Sequence, residues 1–381
     1  MTPQPHPPAP PGFARRAVLV LASLAVVGCA TSPPAEFRLN LEGRDGAQIN
    51  NAQREAIRDC LAQLFGTPDE PRVPQGVALD LELLRKAAGP VGRDFSGRER
   101  GLFRKHCVAC HGVSGDGAGP IAEMLNPYPR DFRRGLFKYT STLGGAKPVR
   151  DNLKRTLLRG VPGTAMPSFM PLADDEIDAL LEYVKYLSIR GETELYVVGL
   201  VVDEDEYPVD MDLAMEEGVL PAAQSWLVPE LNRRQYVVAP PQRPATDTPE
   251  LWAASVAKGR ELFARKDAQC VKCHGPDGWG DGEQKELYDD WNKPKAGPTP
   301  EQTADRARLF TLPIQQIRPR NFHEGIFRGG GRPEDLYWRI YVGIKGTPMP
   351  AGGPAPGATG PLTPEEIWHV VDYVLSLSRD G

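Results

Sequence analysis

Cys107-Val108-Ala109-Cys110-His111-Gly112 recurs, with one change, as Cys270-Val271-Lys272-Cys273-His274-Gly275. Each copy places two thiols three positions apart, with an imidazole directly behind the second. This is the spacing at which two thiols add to the vinyl groups of one haem while the histidine lies under the iron. A lone copy would also suit a zinc half-site or a thioredoxin-like redox pair. Two copies at equivalent places in a duplicated unit favour haem attachment, and no βαβ pattern surrounds either motif.

Outward from the motifs, the duplication continues. Pro129-Arg130-Asp131-Phe132 returns as Pro319-Arg320-Asn321-Phe322, and Gly160-Val161-Pro162-Gly163-Thr164-Ala165-Met166-Pro167 as Gly343-Ile344-Lys345-Gly346-Thr347-Pro348-Met349-Pro350. Glu176, Ile177, Leu180, Tyr183, Val184 and Leu187 match Glu366, Ile367, Val370, Tyr373, Val374 and Leu377. That spacing predicts an amphipathic helix closing each half, with Thr363-Pro364 as N-cap and first turn of the second. A thioether is a soft donor that raises the potential of a His-ligated haem iron. Met166 and Met349, in loops before the last helices, are therefore the candidate second axial ligands. Met170 competes with Met166 but has Gly353 as its counterpart, so the repeat selects Met166. The second half carries 27 extra residues between its haem motif and Arg320, with Trp279 and Trp291 among them. This segment reads as a surface loop.

Each half resembles a class I cytochrome c domain, and the whole resembles a bacterial dihaem cytochrome c lipoprotein. The resemblance spans residues 93–190 and 250–380. It implies an all-α fold of two tandem class I cytochrome c domains, with an N-terminal helical extension and an irregular acidic linker. The divisions expected are a signal peptide at 1–28, a tether and short helices at 29–92, a first domain at 93–190, a linker at 191–249 and a second domain at 250–381. The family implies two covalently attached haem c groups, held by Cys107 and Cys110 and by Cys270 and Cys273. His111 with Met166, and His274 with Met349, would ligate the irons. In each domain a first helix would cross the last, with Leu102-Phe103 and Leu262-Phe263 in its core. Gly259 matches the glycine that lets the helices approach, opposite Tyr373; Glu99 stands there in the first half. Pro120 matches a proline that packs beside the axial histidine, where the second half has Glu283. Arg130 and Arg320 are candidates for haem propionates, since a guanidinium fork matches a carboxylate; the plainer reading is a surface arginine fixing a turn.

The chain has 381 residues and a formal net charge of −5, which argues against nucleic-acid binding. Arg15 and Arg16 precede a 12-residue apolar run, Ala17 to Gly28, too short to span a bilayer and typical of a signal peptide. Val26-Val27-Gly28-Cys29 resembles a lipobox, implying lipidation of Cys29 and a location on the periplasmic side of a bacterial membrane. A plain secreted protein is the alternative. Residues 191–230 hold eleven acids and no Lys or Arg, while residues 93–190 carry 16 basic and 11 acidic groups. The acidic run reads as a solvated linker, or as a segment docked on the basic first half. Cys60 lies in a helical stretch and reads as a buried free thiol. His106 reads as a surface residue and His369 as partly buried, while His323 is a rival ligand for the second haem.

His/Met ligation would fill every iron position, so the expected role is electron transfer rather than bond-making. The expected partners are redox proteins: a quinol-oxidising complex or periplasmic dehydrogenase on one side and a terminal oxidase or reductase on the other. The protein would be a free carrier or a complex subunit, of unassigned oligomeric state. A dihaem peroxidase is the enzymatic alternative and draws its support from His323. A thiosulfate dehydrogenase-like enzyme would need Cys as a distal ligand, and Cys60 lies in neither ligand loop. A haem-based sensor would need a signalling domain, and none is visible.

Overall fold

The described residues of the extension at 29–92, expected as a tether and short helices, are built into the core of the first half. The computed structural model describes Met1 and residues 34–41, 49–293 and 312–378; Cys29 and the signal segment lie outside the described residues. Helix α1 (Asn51–Phe65) starts with a reciprocal cap between Asn50 and Gln53. It turns Ile57, Leu61, Leu64 and Phe65 to one side, and that stripe must be covered. It is: Ile57, Leu61 and Phe65 are fully buried, and the Phe65 ring meets Tyr186 edge-on at 5.9 Å. The Tyr186 hydroxyl donates to the Phe65 carbonyl at 2.6 Å. Cys60 is buried on the same helix as a free thiol, pushed up to about 11 by burial.

Helix α2 (Leu81–Ala87), capped by the Asp80 side chain, packs on the long helix that closes the first half. It occupies the place expected of a first helix beginning near residue 93. Instead the chain makes a hairpin of β1 (Gly92–Arg93) and β2 (Glu99–Arg100). Gly97 and Gly101 adopt φ of 81° and 83°, and Asp94 accepts N–H bonds from Ser96 and Arg98, a turn that no helix accommodates. Only α3 (Leu102–His106) remains of the expected helix, and it delivers Leu102 and Phe103 to the core as expected.

The first half continues with α4 (Val108–His111), α5 (Arg150–Arg159) and α6 (Asp174–Val198). The acidic segment expected to be irregular is largely helical. After α6 comes a π-helical turn at Gly199–Asp203. Helix α7 (Met211–Leu213) then runs through π-helical Ala214–Val219 into α8 (Leu220–Leu231), followed by α9 (Arg233–Tyr236). The acids mask an apolar pattern. Val197, Val198, Val201, Ala214, Val219 and Trp226 all enter the first core. Trp226 lies edge-on to Phe137 at 5.3 Å and donates Nε1–H to Ser188. Two acids also turn inward, Glu192 to Lys147 at 2.7 Å and Glu194 to Arg190 at 3.0 Å. Asp203-Glu204-Asp205-Glu206 stays exposed. The segment therefore docks on the first half mainly through apolar burial.

In the second half α10 (Pro249–Phe263), with Thr248 as N-cap, crosses α13 (Pro364–Leu377), which Thr363 and Glu366 cap reciprocally. Between them lie α11 (Cys270–His274) and α12 (Pro333–Val342). Gly259 sits at the crossing: a Cβ there would lie 1.9 Å from the His369 carbonyl oxygen and 2.8 Å from Tyr373 Cβ. Because the obstacle is backbone, the helices must part to admit any side chain. Gly259→Val is expected to cost about 3 kcal/mol, read as a lowered midpoint in denaturant unfolding. An unchanged midpoint would show that the crossing does not need glycine.

The extra segment of the second half, expected as a surface loop, is in its described parts a contact with the first half. Asp289 takes Lys138 Nζ on both oxygens at 2.8 and 2.9 Å, Gln315 donates to the Leu125 carbonyl at 2.9 Å, and Trp291 lies 5.9 Å from Tyr128. Arg159 joins Asp335 at 3.0 Å across the same boundary. Among the described residues no helix is long and apolar enough to cross a membrane.

Candidate functional site

The two Cys-X-X-Cys-His motifs form short helices, α4 and α11, each ended by a glycine with positive φ. Cys107 is buried and Cys110, Cys270 and Cys273 are half-buried, and none of the four is in a disulfide. The His111 ring is set by two contacts. Its Nδ1–H donates to the Arg130 carbonyl at 3.0 Å, and its face stacks on Phe132 with centroids 4.4 Å apart and planes 18° apart. A carbonyl only accepts, so the proton sits on Nδ1 and the Nε2 lone pair is left free for a metal. Burial lowers His111 to about 4, which keeps the imidazole neutral. His274 repeats this on Phe322, at 4.6 Å and 24°, and burial lowers it likewise to about 4. The Arg320 carbonyl faces its Nδ1, although outside hydrogen-bond geometry.

Matching backbone bonds place these rings. Phe132 N–H reaches the Gly115 carbonyl at 2.8 Å and Phe322 N–H that of Gly278 at 2.9 Å. Gly117 and Gly280 donate back to the carbonyls of His111 and His274. The two phenylalanines were overlooked in the sequence, although their recurrence in Pro-Arg-X-Phe was the signal. Pro120 is exposed. In both halves the Pro-Arg loop packs a phenylalanine against the histidine.

Gly-Thr-X-Met-Pro is also built twice. Val161 N–H bonds the Met166 carbonyl at 3.0 Å, and Ile344 N–H that of Met349 at 3.1 Å. The threonine closes each loop: Thr164 Oγ1 donates to the Val161 carbonyl and accepts from Met166 N–H, while Thr347 does the same for Ile344 and Met349. Gly160 and Gly343, with φ of 65° and 71°, let the chain enter. Met166 packs half-buried on the first core, and Met349 is half-buried. Met170 is 66% exposed, which removes it as a competitor.

The remaining candidates divide sharply. Nη1 and Nη2 of Arg130 are sealed from solvent and unpartnered. Arg320 instead pairs with Glu324 and donates Nε–H to the Ile326 carbonyl, so it holds a turn. His323 stacks on Trp279 at 3.8 Å with Nε2 on the Asp277 carbonyl at 2.9 Å, which occupies the rival ligand. His106 is no surface residue: its Nε2 is sealed and its ring meets Phe169 edge-on at 5.9 Å. His369 is half-buried on Ser255. Among the described residues no three His, Cys, Asp or Glu side chains form a metal-holding group, so the two motifs do not combine into one zinc site. The donors present suit haem c: paired thiols, a neutral oriented imidazole, a thioether on a fixed loop, and an orphaned buried guanidinium.

The cytochrome c family model matches residues 100–188 and again 256–378, more than half of the chain. The chain belongs to the cytochrome c family. This cytochrome carries two covalently attached haem c groups, one for each matched segment, and its function is electron transfer. A chain of the reducing HAO-like protein complex of Kuenenia stuttgartiensis is 25% identical, covering 72% of this chain and 93% of its own length, with a TM-score of 0.48. No curated protein matches.

Proposed function

We propose that this cytochrome is a membrane-anchored dihaem electron carrier. Cys107 and Cys110 hold one haem and Cys270 and Cys273 the other. His111 with Met166, and His274 with Met349, would ligate the two irons. The haem, when bound, supplies a one-electron couple; the chain's residues orient it, exclude water and set its potential. The observation that carries the reading is the duplicated construction of the imidazole and methionine loops, with each histidine aligned by a phenylalanine. Both iron positions are then filled by the protein, leaving outer-sphere transfer as the chemistry. The peroxidase alternative loses its support, because His323 is committed to Trp279 and Asp277.

Electrons pass between a quinol-oxidising complex or periplasmic dehydrogenase and a terminal oxidase or reductase, with the chain as free carrier or complex subunit. Lipidated Cys29 holds it on the periplasmic side of the membrane. The exposed acids of 203–206 present a negative surface that steers a basic partner. Optical and EPR spectra of the oxidised full chain test the site: two low-spin haems are expected. A high-spin haem in the native protein, or peroxide turnover, would overturn the reading.

A further inference from the structure

The boundary between the two halves holds more buried positive charge than nearby carboxylates balance. Arg130 enters it from the first half with both terminal nitrogens sealed and unpartnered. Its guanidinium ends beside Gly346, where a Cβ would lie 3.1 Å from Nη1. Gly346 belongs to the loop that carries Met349. Arg130 thus serves both sites: its carbonyl receives His111 and its side chain reaches the other half's methionine loop.

Arg328 and Arg339 enter from the second half, and each has a sealed Nε without a partner. Between them and Arg130 stands Tyr139 of the first half, its ring centre 5.6 Å from the Arg339 guanidinium carbon. Tyr139 has φ +60°, a conformation a bulky residue rarely adopts. It is seated on Gly329, where a Cβ would come within 2.5 Å of the ring. The carboxylates nearby are spoken for: Asp289 is held by Lys138, and Asp335 by Arg159 and Arg332. Burial pulls Arg339 down to about 10. Buried cations that outnumber the carboxylates they share are costly, and an anion at the boundary reduces that cost.

We infer that the boundary is a shared carboxylate site, in which Arg130, Arg328 and Arg339 together bind propionates of both haems. The inference rests on the two-haem reading above. Each half then contributes charge to the other half's haem, and the two potentials are set jointly. Arg320 likewise reaches Gly163 in the first half's methionine loop, but its charge is already paired with Glu324.

An EPR-monitored redox titration of the full-length holoprotein tests this, following the two low-spin signals separately. A positive charge about 10 Å away in a medium of dielectric about 20 favours the reduced state by more than tenfold. Arg130→Gln is expected to lower both midpoint potentials, shifting each equilibrium roughly tenfold, or ~59 mV for a one-electron couple. Arg130→Lys, which keeps the charge, restores most of the shift. A change at one haem alone, or at neither, overturns the shared site. If Arg130→Gln fails to fold, Arg328→Gln must lower the potential of the first-half haem, and its failure to do so overturns the site equally. Native potentials that follow phosphate concentration at constant ionic strength would assign the site to a free anion and overturn the propionate source. Haem content is measured on the same samples. Fewer than two haems per native chain would reject the two-haem reading, a failure distinct from that of the boundary site.

Discussion

Replacing Met349 with Ala is expected to leave both haems attached and turn one of them high-spin, with its redox equilibrium shifted more than tenfold toward the oxidised form. The loop is closed by bonds that do not involve the thioether. Ile344 N–H to the residue 349 carbonyl at 3.1 Å and Thr347 Oγ1 to the Ile344 carbonyl at 2.7 Å both survive the truncation. The change therefore removes a donor and spares the fold. Losing a Met ligand lowers the potential of a haem whose other ligand is His. Met166→Ala has the same effect on the other haem. Met170→Ala, at an exposed position, leaves spectra and potentials unchanged. Low-spin spectra persisting in both Met166→Ala and Met349→Ala would refute methionine ligation.

Phe65→Ala is expected to destabilise the first half by about 3–5 kcal/mol, the usual cost of deleting a buried aromatic ring. Phe65 is fully buried, lies edge-on to Tyr186 and belongs to the core that also holds Phe103 and Cys107. A tether would tolerate the change; an integral wall of the core cannot. Denaturant unfolding monitored by the optical signals of the two haems separates the outcomes. The first-half signal should be lost at lower denaturant, and a coincident, unshifted transition would return the extension to the status of a tether.

The contrast between these two positions shows what a sequence exposes. The Met349 loop was legible because its Gly, Gly-Thr and Met-Pro recur at the same places in the first half, and its backbone bonds recur with them. Phe65 was not, because its helix has no counterpart in the second half, and nothing local says which surface it will cover. The acidic segment misled for a related reason. Eleven acids dominate its composition, yet Val197, Val201, Val219 and Trp226 lie between them on the face that packs. The hairpin at 92–100 was hidden too, since helix-breaking glycines there were read against a repeat whose other copy, at Gly259, is helical.

By itself the sequence determined the all-α class, the two haem motifs and the loops that accompany them. Those features are short-range: attachment needs two thiols and an imidazole within five residues, and each methionine loop closes on its own threonine. The tertiary structure alone decided that Phe132 and Phe322 align the histidines and that Arg320 is spent on Glu324. It also decided that the Arg130 guanidinium faces the opposite half. These depend on how distant segments pack, and burial rather than residue spacing selects which charge is left without a partner.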